Sequence, residues 1–392
     1  MPDPSDPRLP VSFDAPRQSF DAWGSAPGRV EFIGNHVDYN GGWVLGATID
    51  PRIDVGLTRR SDRQVRLESD ADVTPVQVPL DAIAPQEGDR AWANYVLGVL
   101  RVLREEGLVV STGVDVSVRS TLPTGAGLSS SAALELATAF ALTALFGGDF
   151  DRRSLVHLAR RAENEFVGVP CGILDPAVVA FGDEDQLVRV DARTNDITPV
   201  PFPPETRLWI FRTPQAHALA DAHYQERHDE ARAARDRLRE LYDDVDHLVD
   251  VSPGQLEAAR EELAPVLFRR ARHVSTEHRR VQTAVQRLRA GDLEAVGQLL
   301  VDSHESSRTD YENSTPELDF LVQRLAGDPG VLGARLTGAG FGGAAMAWTR
   351  APFDREDAQA VAEAYARAFG EEVGVMACQP APGSVGGAEN PA

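Results

Sequence analysis

The stretch Ala132–Phe146, AALELATAFALTALF, is apolar on nearly every face. A helix with that pattern cannot rest on a surface with one side in water, so the rest of the chain has to bury it. Its N-terminal end still carries about four backbone N–H groups without intrahelical partners. The preceding residues, Leu122-Pro-Thr-Gly-Ala-Gly-Leu-Ser-Ser-Ser131, bring Gly125 and Gly127 for close backbone approach and Ser129, Ser130 and Ser131 as hydroxyl donors. Free N–H groups at the positive end of a helix dipole favour an anion. The segment therefore suits a polyphosphate held by backbone and hydroxyls. The same serines could instead cap a core helix, and the segment alone does not decide between the two.

The chain contains no lysine: its 39 cationic residues are all arginine, against 60 Asp plus Glu, for a net charge of −21. That removes the Walker A lysine, Schiff-base chemistry and pyridoxal-phosphate anchoring. The serine-rich turn also lacks the G-x-G-x-x-G spacing of a dinucleotide fold. A charge of this sign opposes binding to nucleic acid or to anionic lipid. It has two readings, a salt-adapted cytoplasm or a codon bias towards arginine in an ordinary acidic protein. Cys171 and Cys378 make neither a disulfide framework nor a zinc site. The Pro- and Asp-rich first residues lack a signal-peptide pattern. The longest uncharged stretches, Ser120–Leu134 and Val373–Ala388, are broken by Pro and Gly and fall short of the ~18 apolar residues of a membrane span. A cytoplasmic protein is expected.

At 392 residues the chain is long enough for two or three domains. Residues 1–20 read as a loose arm. Alternation predicts strands between Ala26 and Asp62, broken at Gly41-Gly42, then at Val65–Leu67, Val76–Leu80 and Gly113–Val118. Helices are expected over Trp92–Val102, Ser130–Phe146 and Arg152–Phe166, a loop over Gly168–Pro176, and a paired β unit at Gln186–Val190 and Ile197–Val200. Pro201–Pro204 reads as a linker. A second unit begins at Leu208, carries long amphipathic helices over Ala220–Leu241 and Gln255–Leu288, and ends in strands near Arg335 and Ala345. The fold class is α+β with two domains, 12–203 and 204–384.

Three further segments carry chemistry. In Gly28–Gly42, Arg29, Asn35, His36 and Asp38 lie amid Val30, Phe32 and Ile33. That mixture of donors and acceptors suits a polyhydroxylated ligand, whose desolvated hydroxyls each need a partner; it also suits a polar turn bonded to its own backbone. In Ala162–Pro176, Asp175 before Pro176 can be a helix N-cap, or a base or charge partner, with Glu163 a metal ligand. Pro176 is expected to hold Asp175 in extended backbone angles. Cys171 reads as a packed small residue. Leu336-Thr-Gly-Ala-Gly-Phe-Gly-Gly343 has more glycine than a hairpin turn requires, so its backbone is expected to pack against a ligand or another loop.

Together these segments resemble the galactokinases of the GHMP kinase superfamily. GRVEFIGNHVDYNGG, LPTGAGLSSSA and LTGAGFGG occur in family order, supported by WANYVLGVL, VPCGILD, HALADAHYQER and DYENSTPELD. The resemblance spans roughly residues 22 to 384. It implies an S5-like N-terminal domain and a ferredoxin-like C-terminal domain, with the active site between them. It implies ATP over Gly125, Gly127, Leu128, Ser129, Ser130 and Ser131, with Trp92 near the adenine and Mg²⁺ on Ser131 and Glu163. Asp175 matches the position regarded as the catalytic base towards the sugar's C1 hydroxyl, and Arg29 the arginine beside it. Asn35, His36, Asp38, Gly172 and Tyr224 match sugar-contacting positions. The implied partners are sugar and ATP, for a monomer that engages neither nucleic acid nor membrane.

Two departures from the family pattern stand out. Galactokinases typically carry Glu at Asn35, a position associated with the sugar's 6-hydroxyl, and Gln at Pro176. Loss of that Glu would remove a negative charge from the sugar pocket, and an amide can donate as well as accept. D-galacturonate, or another sugar altered at C6, is therefore the alternative substrate to D-galactose. A non-catalytic sugar and ATP sensor is a more remote alternative, and it would be expected to lack one of Arg29, Ser131, Glu163 or Asp175. All of these are present.

Overall fold

The computed structural model describes residues 19–71, 74–123, 127–169, 171–214 and 220–388; most of the expected N-terminal arm lies outside them. β1 (Ala22–Ile33) and β2 (Trp43–Arg59) are the two halves of the long alternating stretch, parted at Gly41-Gly42. They pair antiparallel, with Ala22 opposite Leu57 and Arg29 opposite Thr48. β5 (Val114–Ser120) continues the sheet beyond β2, β3 (Gln64–Ser69) runs parallel to β5, and β4 (Val76–Pro79) closes that edge. β6 (Gln186–Asp191) and β7 (Asp196–Pro201) form the expected pair and attach to β2. On the other side β1 pairs with β12 (Val385–Ala388), a strand reaching back from the far end of the described chain.

The apolar helix, α2 (Ser130–Phe146), is enclosed as its composition demands. It lies against β1, β2 and β12, with α1 (Ala93–Glu105), α3 (Arg152–Ala162) and α4 (Leu174–Phe181) around it. Ala132, Ala133, Leu136 and Ala137 are fully buried, and the small residues let the helix backbone sit close to the sheet. Because α2 is fixed along its length, its N-terminal residues are held rigidly at one end of the sheet.

Among the described residues a second, four-stranded antiparallel sheet has the order β11-β8-β10-β9, made of β8 (Thr206–Arg212), β9 (Val331–Thr337), β10 (Ala344–Arg350) and β11 (Gly374–Cys378). Its helices are α5 (Ala220–Leu241), α6 (Pro253–Ala258), α7 (Pro265–Ala290), α8 (Leu293–Ser306), α9 (Pro316–Ala326) and α10 (Arg355–Phe369). The single helix expected over Gln255–Leu288 is thus two. Pro265 stands at the start of α7, where its fixed φ suits a first turn but its ring and missing N–H forbid continuation from an earlier one. The helix expected to reach Phe166 ends at Ala162 and passes into a single π turn, Glu163–Val167.

The two sheets share a core. Val281, Ala284, Val285 and Leu288 of α7, Leu300 of α8, and Met346 and Trp348 of β10 are contiguous with the buried residues around α2. Arg335 of β9 is buried in the seam, where it donates to the Glu31 carbonyl at 3.1 Å and to Glu31 Oε1 at 2.9 Å.

Candidate active site

Arg29 extends from β1 to the N-terminal end of α2. Its Nε donates to Asp175 Oδ1 at 2.7 Å and its Nη2 to Asp175 Oδ2, while Nη1 donates to the Gly127 carbonyl at 2.7 Å. A bidentate fork of this kind fixes orientation as well as charge. One guanidinium thus ties the carboxylate to the glycine- and serine-rich turn.

Asp175 lies in the first turn of α4, whose cap is Ile173. The N-cap alternative and the expected extended backbone are both corrected, since Asp175 is helical and its side chain goes to Arg29. Pro176 is accommodated because N–H groups in a first turn have no intrahelical acceptor to lose, and the helix start overrides the usual bias of a residue before proline. Ser129, with a left-handed φ of 56°, donates its hydroxyl to Asp175 Oδ2. Such strained backbone concentrates at functional sites. The hydroxyl expected on a phosphate is here used on the carboxylate.

Around this pair, Gly127 has φ 66° and the buried Leu128 accepts the Arg29 backbone N–H at 3.1 Å. Ser130 and Ser131 open α2, half-buried; Gly125 lies outside the described residues. The Ser131 hydroxyl and the Cys171 thiol lie beside the Glu163 carboxylate, and both favour its ionised form. Burial raises Glu163 above the ordinary carboxylate range, and the Asp175 charge adds to this. A buried carboxylate beside a hydroxyl is a donor pair suited to a hard divalent cation. Among the described residues no group of three or more His, Cys, Asp or Glu could hold a metal by itself, so phosphate oxygens would have to complete its shell, as is usual for Mg²⁺. Cys171 is held as a neutral thiol by burial, aided by the Glu163 carboxylate, which leaves it a packing residue.

On the other side of Asp175, the Asp38 carboxylate lies directly against the backbone of Gly172. A Cβ at residue 172 would stand 1.8 Å from Asp38 Oδ2, so only glycine fits. Burial pushes Asp38 up to about 6, with the Asp175 charge adding to the effect and the Tyr39 backbone opposing it. Tyr224 of α5 places its ring 5.3 Å from that of His36 and 6.0 Å from that of Tyr39. Asp38 lies against Gly172, and the charges of Asp38 and Asp175 both act on Tyr224; these four form the candidate sugar wall.

His36 and Asn35 lie behind that wall. The His36 ring meets the Tyr39 hydroxyl at 2.8 Å and the Ala339 carbonyl at 3.0 Å; burial holds it neutral, with its pKa lowered to about 3. Asn35 is 1% exposed. Its Nδ2 donates to Glu31 Oε1 at 3.1 Å and to the Gly338 carbonyl at 2.7 Å, and its Oδ1 accepts from Ser307 and Asn313. The protein thereby uses the whole hydrogen-bonding capacity of the amide. The carboxyl group expected to be missing from this region is supplied by Glu31, where burial raises the pKa and the paired Arg335 opposes that rise. Sequence reasoning missed Glu31, although its spacing before Asn35 was visible.

The segment from Leu336 to Gly343 packs on another loop, as expected. Besides accepting from Asn35 and His36, it brings Gly340, at φ +83°, so near residue 313 that a Cβ would stand 2.2 Å from the Asn313 carbonyl. Trp92 caps α1, its indole N–H 3.4 Å from the Thr74 carbonyl.

Comparison with known proteins identifies the fold. The model of the GHMP kinases N terminal domain matches residues 94–183 and that of the GHMP kinases C terminal matches residues 284–372. The fold is that of a GHMP kinase, an enzyme that transfers a phosphoryl group. A third model, the galactokinase galactose-binding signature, matches residues 12–59. The chain is 39% identical to a galactokinase of Roseiflexus sp. (strain RS-1) over 91% of each chain, and 39% identical to one of Streptomyces coelicolor over 88% of each. The solved galactokinase of Lactococcus lactis, complexed with galactose, superposes with a TM-score of 0.89 at 33% identity, covering 93% of this chain and 95% of that one. This chain belongs to the galactokinase family. No helix among the described residues is long and apolar enough to cross a membrane.

Proposed function

We propose that the enzyme transfers the γ-phosphoryl group of ATP to the C1 hydroxyl of D-galactose, as a cytoplasmic monomer with Mg²⁺. The observation that carries this reading is the position of Asp175. Its carboxylate stands between the wall of Asp38, Gly172 and Tyr224 and the turn at Gly127–Ser131, with Arg29 bonded to it and to the Gly127 carbonyl. A sugar on that wall would place one hydroxyl between Asp175 and the nucleotide's terminal phosphate.

Phosphoryl transfer through a loose transition state depends mainly on positioning and charge stabilisation. Asp38 and Tyr224 orient the sugar, and Gly172 leaves room for the Asp38 carboxylate. Asp175 takes the C1 hydroxyl proton as the sugar oxygen bonds to the γ-phosphorus and the bond to the β-phosphate oxygen breaks, releasing ADP. Arg29 holds Asp175 in line and supplies positive charge beside the oxygen where negative charge develops. The backbone at Gly125 and Gly127, with Ser130 and Ser131 at the N-terminus of α2, receives the phosphates; Trp92 flanks the adenine. Ser131 and Glu163, together with phosphate oxygens, would hold Mg²⁺, which would supply charge neutralisation of the polyphosphate. Asn35 and His36 act from behind by holding the Gly338–Ala339 backbone.

Galactose is favoured over galacturonate because Glu31 keeps a carboxylate behind the wall. The sensor alternative gains no support, since Arg29, Ser131, Glu163 and Asp175 are all in place. Turnover with Mg²⁺ and ATP against D-galactose, D-galacturonate, L-arabinose, N-acetylgalactosamine and D-glucose, at low and high KCl, tests the proposal. Galactose is expected to give the highest kcat/KM; a higher value for galacturonate, or silence on every sugar, overturns it.

A further inference from the structure

Glu135 has no place in the chemistry described so far. It is 0% exposed on α2, in a helix otherwise built of apolar residues, Ser and Thr. Both of its carboxylate oxygens are buried and neither has a hydrogen-bond partner. Leaving a buried polar group unsatisfied costs about 1–3 kcal/mol, and more when the group is charged. An apolar residue of similar size would avoid that cost, so the carboxylate requires another explanation.

Its surroundings supply one. Ser131 lies one helical turn away on the same face of α2, and its hydroxyl is near enough to Glu163 to favour the ionised carboxylate. Glu163 and Asp175 are near enough for their charges to act on Glu135, which in turn acts on Cys171. Burial first, then those two carboxylates, holds the Glu135 acid well above its ordinary range. A cation beside Ser131 and Glu163 would compensate that negative cluster. The acidic groups are not arranged to chelate one ion directly. Mg²⁺ dehydrates reluctantly and keeps several waters, each needing an acceptor.

We propose that Glu135 is an outer-sphere group of the divalent-cation site, accepting a hydrogen bond from water on a cation held by Ser131 and Glu163. This rests on the reading of Ser131 and Glu163 as cation ligands. Glu135 is then a positioning residue, acting on bound water and not on substrate. Partners of this kind are worth roughly 10–100-fold in metal affinity.

The test is binding of Mn²⁺, followed by electron paramagnetic resonance, to the full chain with a non-hydrolysable ATP analogue. E135Q should weaken Mn²⁺ by about tenfold without lowering the melting temperature or the affinity for the analogue in the absence of metal. E163Q, measured alongside, should weaken it at least as much. Unchanged Mn²⁺ affinity in E135Q with a loss in E163Q overturns the role of Glu135. Unchanged affinity in both variants overturns the reading of the cation site itself. Should E135Q not fold, E135D is measured in its place, and wild-type Mn²⁺ affinity in that variant equally overturns the proposal.

Discussion

Asn35 donates its side-chain amide to Glu31 Oε1 at 3.1 Å, in a region where almost nothing reaches solvent. The two residues form one hydrogen-bonded unit with Arg335, which donates to the same carboxylate oxygen at 2.9 Å. Replacing Asn35 by Glu would set a second carboxylate against the first and confront the Gly338 carbonyl with another acceptor. A buried charge without its own partner destabilises by about 3 kcal/mol. N35E should therefore lose about 3 kcal/mol of unfolding free energy in urea titration, and E31Q/N35E should recover at least half of the loss. Equal stability of N35E and the parent would show that the network tolerates a second charge.

Asp175→Asn retains shape but cannot take a proton. The turnover number should fall by roughly 10²–10⁴, while galactose affinity measured by calorimetry stays within about threefold, a split that separates a base from a binding group. Loss of affinity in proportion to rate would instead make Asp175 a binding residue.

At Gly172 the argument is steric. A methyl group there must displace Asp38, because the added carbon would stand 1.8 Å from its Oδ2. Gly172→Ala is expected to raise the KM for galactose by about tenfold or more, a loss of roughly 1.4 kcal/mol in sugar binding, with the KM for ATP little changed. An equal rise in both would place the effect elsewhere than on the sugar wall.

Asp38 also gives the site a pH signature. Its pKa is raised from 3.8 to about 6, so the folded protein holds a proton that the unfolded chain releases. Its contribution to stability is full below pH ~4 and is lost as pH rises through about 6. Sugar binding has the opposite sense, since sugar hydroxyls donate to the ionised form. Asp175 and Arg160 also act on this group. The Kd for galactose without nucleotide should fall towards a plateau above pH ~6 and weaken by up to tenfold per pH unit below it. In Asp38→Asn the slope should disappear along with much of the affinity; a slope that persists would assign the titration to another group.

Much of this architecture was legible from local pattern. The apolar circumference of Ala132–Phe146 required a buried helix, and the motifs around Arg29, Ser131 and Asp175 converge at its N-terminus. What local pattern could not convey was direction. Asn35 and His36 have the chemistry of sugar ligands, yet nearby Glu31 and the distant Ser307, Asn313 and Gly338–Ala339 backbone claim their hydrogen bonds. Asp175 before a proline reads as extended until the start of α4 is known. Glu135 is inconspicuous in an apolar run, because only the packed structure shows that neither of its oxygens has a partner.

The pairing of β12 with β1 also orders events during synthesis. β1 leaves the ribosome before every other strand described here, and β12 leaves after all of them. Until Val385–Ala388 arrive, one edge of β1 is a row of unpaired backbone donors and acceptors, open to a strand from a neighbouring chain. The first sheet of this enzyme cannot close cotranslationally by itself. Its completion waits for the last strand described, and the interval before that is when the nascent chain is most exposed to aggregation.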